Sequence, residues 1–277
     1  MGTLYLVATP IGNLEDISAR ALRTLREVRL IAAEDTRRTR KLLAHYDIHT
    51  PLSSYYEHNK LSKLEEILAS LAEGDVALVS DAGTPLINDP GYELVLAALD
   101  AGCPVLPIPG PSAPIAALSA SGLPADTFLY LGYLPRKTKP RRALLQDVKD
   151  DPYTVVFLEA PHRLLDSLQD MLDVLGDRQM AAARELTKLH EEIFRGRISE
   201  ALKYFLEHTP RGEFTLVVAG REGSKERWPE DRLQRELSNY LQSGESPSSI
   251  AGLLAKESGW PRREIYQIII RTQSKDQ

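Results

Sequence analysis

Three short turns rich in glycine and proline carry the residue types best suited to hold a small molecule. They are TPIGN at 9–13, SDAGTPLINDPG at 80–91 and PGPSAP at 109–114. Glycine reaches positive φ and lets the main chain approach a ligand closely. A helix that starts after each turn offers N–H groups without partners. One such turn is an ordinary connector. Three at strand ends point to a binding site, because ligands of open α/β sheets sit beyond the carboxyl ends of the strands. Neither GxxxxGK[ST] nor a GxGxxG after the first strand occurs, which argues against a nucleoside triphosphate or a dinucleotide. A ligand with an adenosine part and no phosphate fits better.

Basic residues offer a second kind of chemistry. They gather at 37–41 (RRTRK) and at 136–142 (RKTKPRR), the latter with five positive charges in seven residues of a chain whose net charge is −5. A charge run is usually a solvated face, but in an acidic protein RNA phosphate is its natural partner. The 136–142 run is broken by Pro140 and reads as a loop. Arg37 and Lys41 share a helix face at i, i+4. His45 and His49 have a spacing used by zinc sites, yet HExxH is missing between them, so no metal site is expected.

These residues need a scaffold. Apolar strands at 4–8, 30–33, 76–79 and 105–108 alternate with helical periodicity at 16–28, 36–46 and 61–71 and with a helix after each later turn. Repeated β-α units imply a mostly parallel sheet covered on both faces. After a linker at 123–126, further strands are expected at 128–134, 154–158, 180–185, 192–195 and 214–218. An amphipathic helix fills 163–175, and residues 190–195 are expected to pair antiparallel, making this sheet mixed. The fold class is therefore α/β, with two α/β domains (1–122 and 126–221) and a ligand cleft between them. A charged linker at 221–227 leads to a small helical extension, 228–277, that resembles a helix-turn-helix. Pro247 and Pro261 fit two of its helix starts. The 277 residues, 43% of them hydrophobic, suit a soluble globular protein. Its single cysteine, Cys103, excludes a disulfide framework. No apolar run is long enough to span a membrane, and a cytoplasmic location is expected.

The ordered segments LYLVATPIGNLEDIS, IAAEDTRRT, LVSDAGTPLINDPG, PIPGPSA, LPRKTKPRR, EAPHRLLDSL and RELTKLHEE resemble the tetrapyrrole-methylase family, within it the branch that methylates ribosomal RNA. The resemblance runs from about residue 3 to 220. It implies 2′-O-methylation of a cytidine ribose in the decoding region of 16S ribosomal RNA, with S-adenosylmethionine as cofactor, the small ribosomal subunit as partner and a homodimeric assembly. It implies cofactor contacts from Pro10, Ser80, Asp81, Ala82, Gly83, Thr84, Gly110, Pro111, Ser112 and Ala113, with Leu158, Leu186 and Thr215 on the adenine side. Arg37, Arg38, Arg136, Lys137, Lys139, Arg141 and Arg142 are the expected RNA contacts. Methyl transfer to a weakly acidic hydroxyl calls for a base or a charge-stabilising group, for which Asp35, Glu159 and Lys188 are the candidates. Asp35 is equally suited to cap the helix at Thr36, and Lys188 to pair with Glu191 or Glu192. Two departures from the family pattern stand beside the expected pocket. Leu158-Glu159-Ala160 replaces Tyr-Glu-Ser, and Thr215 and Ala219 stand where an apolar residue and a glutamate are usual.

Overall fold

The computed structural model describes residues 1–56, 60–221, 228–242 and 246–273; all but the first residue of the expected 221–227 linker lie outside these. Two compact units are present, Met1–Arg221 and Glu222–Gln277. In the first unit a parallel sheet is built from β1 (Leu4–Val7), β2 (Leu30–Ala33), β3 (Leu52–Ser54), β4 (Val76–Val79) and β5 (Val105–Ile108), in the order β3-β2-β4-β1-β5. β3 is absent from the sequence expectation because Leu52-Ser53-Ser54 has no apolar run to announce it. Alternation puts Tyr5, Val7, Ile31, Ala33, Ala77 and Val79 against α1 (Ala19–Glu27) and α2 (Thr36–His45). Leu4, Ala32, Val76 and Leu78 face α3 (Lys60–Glu73) and α4 (Tyr92–Asp100). This period-2 division between two covered faces follows from strand geometry.

The second sheet is mixed, as the sequence suggested. Its order is β6-β7-β10-β8-β9, from β6 (Phe128–Tyr133), β7 (Thr154–Glu159), β8 (Gln179–Arg184), β9 (Glu192–Arg197) and β10 (Phe214–Val218). β6 and β7 run parallel, and β10 pairs antiparallel with both β7 and β8. Val155, Phe157, Met180, Leu216 and Val218 pack outward on α6 (Thr138–Asp147), α7 (Leu164–Leu175) and α8 (Ile198–Glu207).

The inner face, with Val156, Ala181, Ala183 and Val217, is covered by Ala117 and Leu118 of α5 (Ala113–Ser121). α5 follows the first sheet in the chain but serves as a packing layer of the second. The two expected α/β halves are thus interlocked through one helix, and the apolar area they share couples them.

α6 replaces the expected loop at its N-terminal end. Pro140 lies in its first turn, where a missing N–H costs nothing.

The second unit contains α9 (Glu230–Gln242), α10 (Pro247–Ser258) and α11 (Arg262–Gln273) around Leu233, Leu237, Ile250, Leu254, Ile265 and Ile269. Ser246 caps α10 by accepting from the Ser249 N–H at 3.2 Å. Gly259, at φ 69°, ends that helix in the left-handed conformation.

Candidate active site

The three turns are hydrogen-bonded to one another. Thr9 N–H donates to Gly83 O and Gly83 N–H to Thr9 O, both at 2.9 Å. The Thr84 hydroxyl donates to Pro111 O at 3.2 Å. Gly83 has φ +83°, and Leu86 and Asn88 take φ of 72° and 67° without being glycine. Such backbone is held only when its surroundings over-determine it, and it concentrates at functional sites.

Against this knot lies a cavity of about 260 Å³. One wall comes from the first sheet's loops: Glu34 after β2, and Asp81 to Thr84 with Ile87, Asn88 and Asp89 after β4. The opposite wall is the inner face of the second sheet, with Tyr130, Tyr133, Leu158, Ala183 and Thr215. Tyr130 and Tyr133 reach the same face although three apart, because a bulge shifts the β6 register between Tyr130 and Gly132. Ser112 and Ala113 close the side at the start of α5. A second cavity, of about 410 Å³, shares Ile11, Arg38, Asp81, Ala82, Lys188 and Glu213 with the first and adds Pro10, Gly12, Lys41 and Ser80.

The first cavity is acidic. Glu34, Asp81, Asp89, Glu185 and Glu213 line it against the cations Arg38 and Lys188. Burial raises the Glu34 carboxyl above its ordinary range. Burial, with the Glu34 charge behind it, pushes Asp89 up to about 6. The Tyr130 phenol is pushed up to about 12 by burial, and Tyr133 is raised for the same reason. Tyr130 donates to Asn88 Oδ1 at 2.5 Å. Asp81 accepts the Asp35 N–H at 3.0 Å and pairs with Arg38 at 3.3 Å.

Of the expected cofactor residues, Asp81, Ala82, Gly83, Thr84, Ser112, Ala113, Leu158, Leu186 and Thr215 line the first cavity. Pro10 and Ser80 line only the second. Gly110 and Pro111 line neither. A Cβ at Gly110 would come within 3.1 Å of Ala8 Cβ, so this glycine permits close packing on the end of β1. Pro111 contributes its carbonyl to Thr84.

The catalytic candidates separate. Lys188 lines both cavities, with its ammonium 2.9 Å from Glu185 Oε1. Asp35 lines neither cavity and caps α2. Its carboxylate accepts the Arg37 N–H at 2.8 Å and also binds the Arg37 guanidinium, which holds it well below the usual carboxylate range. Glu159 lines neither cavity either. It sits one residue beyond Leu158 on β7, so its side chain points to the outer face. There it accepts from the Ser167 hydroxyl at 2.5 Å and pairs with Arg163 at 3.0 Å, fully buried.

Among the expected RNA contacts, Arg141 is buried on Asp170, and Arg142 binds Asp170 and Asp173. α6 rather than a loop carries both: Arg141 is turned inward, away from any RNA, whereas Arg142 stays 42% exposed while paired. Arg136, Lys137 and Lys139 are exposed just beyond the cavity residue Tyr133. Arg38 lines both cavities, and Arg37 is exposed beside it, paired with Asp35.

Sequence reasoning missed Asp89, Tyr130, Tyr133 and Glu213 as site residues. Asp89 stands inside the turn that drew attention first. The tyrosines could have been found only from the bulge.

A parallel sheet faces a mixed sheet across an acidic cleft at the strand ends, the architecture of a two-lobed α/β protein with a ligand site between its lobes. The model of the Tetrapyrrole (Corrin/Porphyrin) Methylases matches residues 3–202. "Ribosomal RNA small subunit methyltransferase I" of Synechocystis sp. is 49% identical over 99% of this chain and 99% of its own length. The protein of that name from Thermotoga maritima is 52% identical over 80% of this chain and 100% of its own. The chain belongs to the tetrapyrrole methylase family and, within it, to the ribosomal RNA small subunit methyltransferase I group. Among solved structures, uroporphyrin-III C-methyl transferase from Thermus thermophilus, complexed with S-adenyl homocysteine, shares the fold. Its TM-score is 0.53 at 22% identity, covering 78% of this chain and 97% of that one.

Proposed function

We propose that the chain transfers the methyl group of S-adenosylmethionine to the ribose 2′-hydroxyl of a cytidine in the decoding region of 16S ribosomal RNA. The observation that carries this reading is the pair of cavities with one shared wall, one acidic and one edged by cations. S-adenosylmethionine supplies an electrophilic methyl on a sulfonium and brings two positive charges, which suit the carboxylates of the first cavity. Its adenine fits the apolar and backbone surfaces at Leu158, Ala183 and Thr215. Arg38, Lys41 and Lys188 at the second cavity suit ribose-phosphate, and Lys188 is proposed to stabilise negative charge developing on the attacking oxygen. A tetrapyrrole substrate would call for a broad apolar opening instead. A homodimer accords with the outer face of α4, where Tyr92, Leu96 and Leu99 are exposed at i, i+4 and i+7. Aligned apolar residues of this kind mark interaction surfaces.

The test incubates purified small subunits with tritiated S-adenosylmethionine and maps label onto the RNA. Label on one cytidine ribose supports the reading. Label on a base, or none on any ribosomal substrate, overturns it.

A further inference from the structure

Methylating a hydroxyl releases one proton, and the groups first expected to take it are engaged elsewhere. Asp35 caps α2, and Glu159 is buried on the far face of β7. Lys188 is a cation with no lone pair to give. The acceptor should stand where the two cavities meet, since on the reading above the cofactor fills one and the ribose enters the other. Two carboxylates line both cavities, Asp81 and Glu213. Asp81 is occupied by the Asp35 N–H and Arg38. The Glu213 carboxylate has no hydrogen bond or ion pair among the described residues, and the residue is exposed toward the cavities.

Its backbone is held firmly. Glu185 N–H donates to Glu213 O at 3.1 Å, and Glu213 N–H donates back to Glu185 Oε1 at 3.2 Å. The same Glu185 oxygen accepts from Lys188 Nζ at 2.9 Å, and that ammonium keeps the Glu185 carboxyl below its usual range. One carboxylate thus positions both a cation and a second, unengaged carboxylate at the junction. Gly212 makes room for it: with φ +75°, a Cβ there would lie 2.3 Å from Glu185 Cγ.

We propose that Glu213 accepts the proton of the ribose 2′-hydroxyl and that Glu185 is its positioning residue. This rests on the reading of the site as a ribose 2′-O-methyltransferase. The O–H bond breaks toward Glu213 while the oxygen forms its bond to the methyl carbon. The S–C bond breaks with its electron pair left on sulfur, and Lys188 faces the oxygen as its charge develops. The charged and titratable groups that share a cavity lining with Glu213 are Glu185 and Lys188 from the β8–β9 loop, Tyr130 and Tyr133 from β6, Glu34 after β2, Arg38 and Lys41 of α2, and Asp81 and Asp89 after β4.

The test compares wild type with Glu213→Gln, Glu213→Asp, Glu185→Gln and Glu185→Ala in single-turnover methylation of small subunits across pH, with cofactor calorimetry on each. Glu213→Gln should lose about 100-fold or more in rate with cofactor Kd unchanged within about twofold. Its residual rate should climb about tenfold per pH unit as hydroxide replaces the carboxylate, where wild type is flat. Glu213→Asp should recover part of the loss. Glu185→Gln, which can still accept from both partners, should stay near wild type, and Glu185→Ala should be slow. Glu213→Gln within threefold of wild type, or slow only because cofactor binding is lost, would overturn the assignment. A wild-type enzyme that labels no ribose would instead overturn the substrate reading beneath it.

Discussion

Arg141 and Asp170 form a buried pair in which Nε and Nη2 of the guanidinium both reach Oδ2, at 2.7 and 2.6 Å. Their side chains are 4% and 7% exposed. Stranding a buried charge outright costs about 3–5 kcal/mol; Arg142 still reaches Asp170 Oδ1 at 3.0 Å, so the loss of Arg141 should cost less than that. Arg141→Ala should therefore lower the denaturant midpoint while leaving the salt dependence of RNA binding as it was. Urea unfolding and a filter-binding salt series check the two halves. A variant of normal stability with a flattened salt slope would return Arg141 to the RNA interface.

The same pair marks the limit of what the sequence made legible. The β-α alternation, the mixed second sheet and the turns at 80–91 were readable because apolar period and Gly/Pro punctuation are local signals. The start of α6 was not, since RKTKPRR has no apolar face and Pro140 reads as a breaker unless the helix is known to begin two residues before it. Glu159 and Leu158 are neighbours in sequence, yet one faces α7 and the other the cavity. That difference depends on strand register. The docking of α5 on the second sheet joins elements far apart in the chain, which no window of sequence contains.

Asp89 gives the first cavity a pH dependence. Burial raises its carboxyl from an ordinary 3.8 to about 6, so the fold favours the protonated form. Between those values the native state binds more protons than the unfolded chain. The Asp89 contribution to stability therefore falls as pH rises through this window and is level above it. Cofactor binding should show the opposite sign, because a cation in the cavity favours the carboxylate. Affinity for S-adenosylmethionine should rise about tenfold from pH 5 to pH 7, and Asp89→Asn should remove most of that rise. Calorimetry at the two pH values decides it; an equal pH response in the variant would exclude Asp89 as the cause.

Gly12 packs the first turn closely against the β8–β9 loop. A Cβ there would lie 2.4 Å from Lys188 Cγ, 2.7 Å from Thr187 Oγ1 and 3.0 Å from Leu186 O. The Asn13 N–H donates to Thr187 Oγ1 at 3.0 Å across the same seam. Gly12→Ala should displace Lys188 from the junction and cost on the order of 10- to 100-fold in methylation rate, with little change in melting temperature. Gly74→Ala is a suitable control, since a Cβ there meets only ordinary contacts at 3.5 Å. Equal rates for the two variants would show that the loop position does not govern the chemistry.

The basic run after β6 divides into two functions that a salt titration can separate. Arg136, Lys137 and Lys139 are exposed, whereas Arg141 and Arg142 are held by Asp170 and Asp173. A cation already bound to a carboxylate releases few counterions when phosphate approaches, while a free one releases about one. Neutralising Arg136, Lys137 and Lys139 together should therefore flatten the log–log salt dependence of subunit binding by about two to three units. Exposed charges contribute little to stability, so the melting temperature should hold. Cofactor affinity should hold as well, because none of the three lines the first cavity. The measurement is a salt series of subunit binding for wild type and the three-site variant, with cofactor calorimetry alongside. An unchanged slope would make this surface a solvated face and shift the phosphate contacts to Arg38 and Lys41 on α2, which with Lys188 line the second cavity.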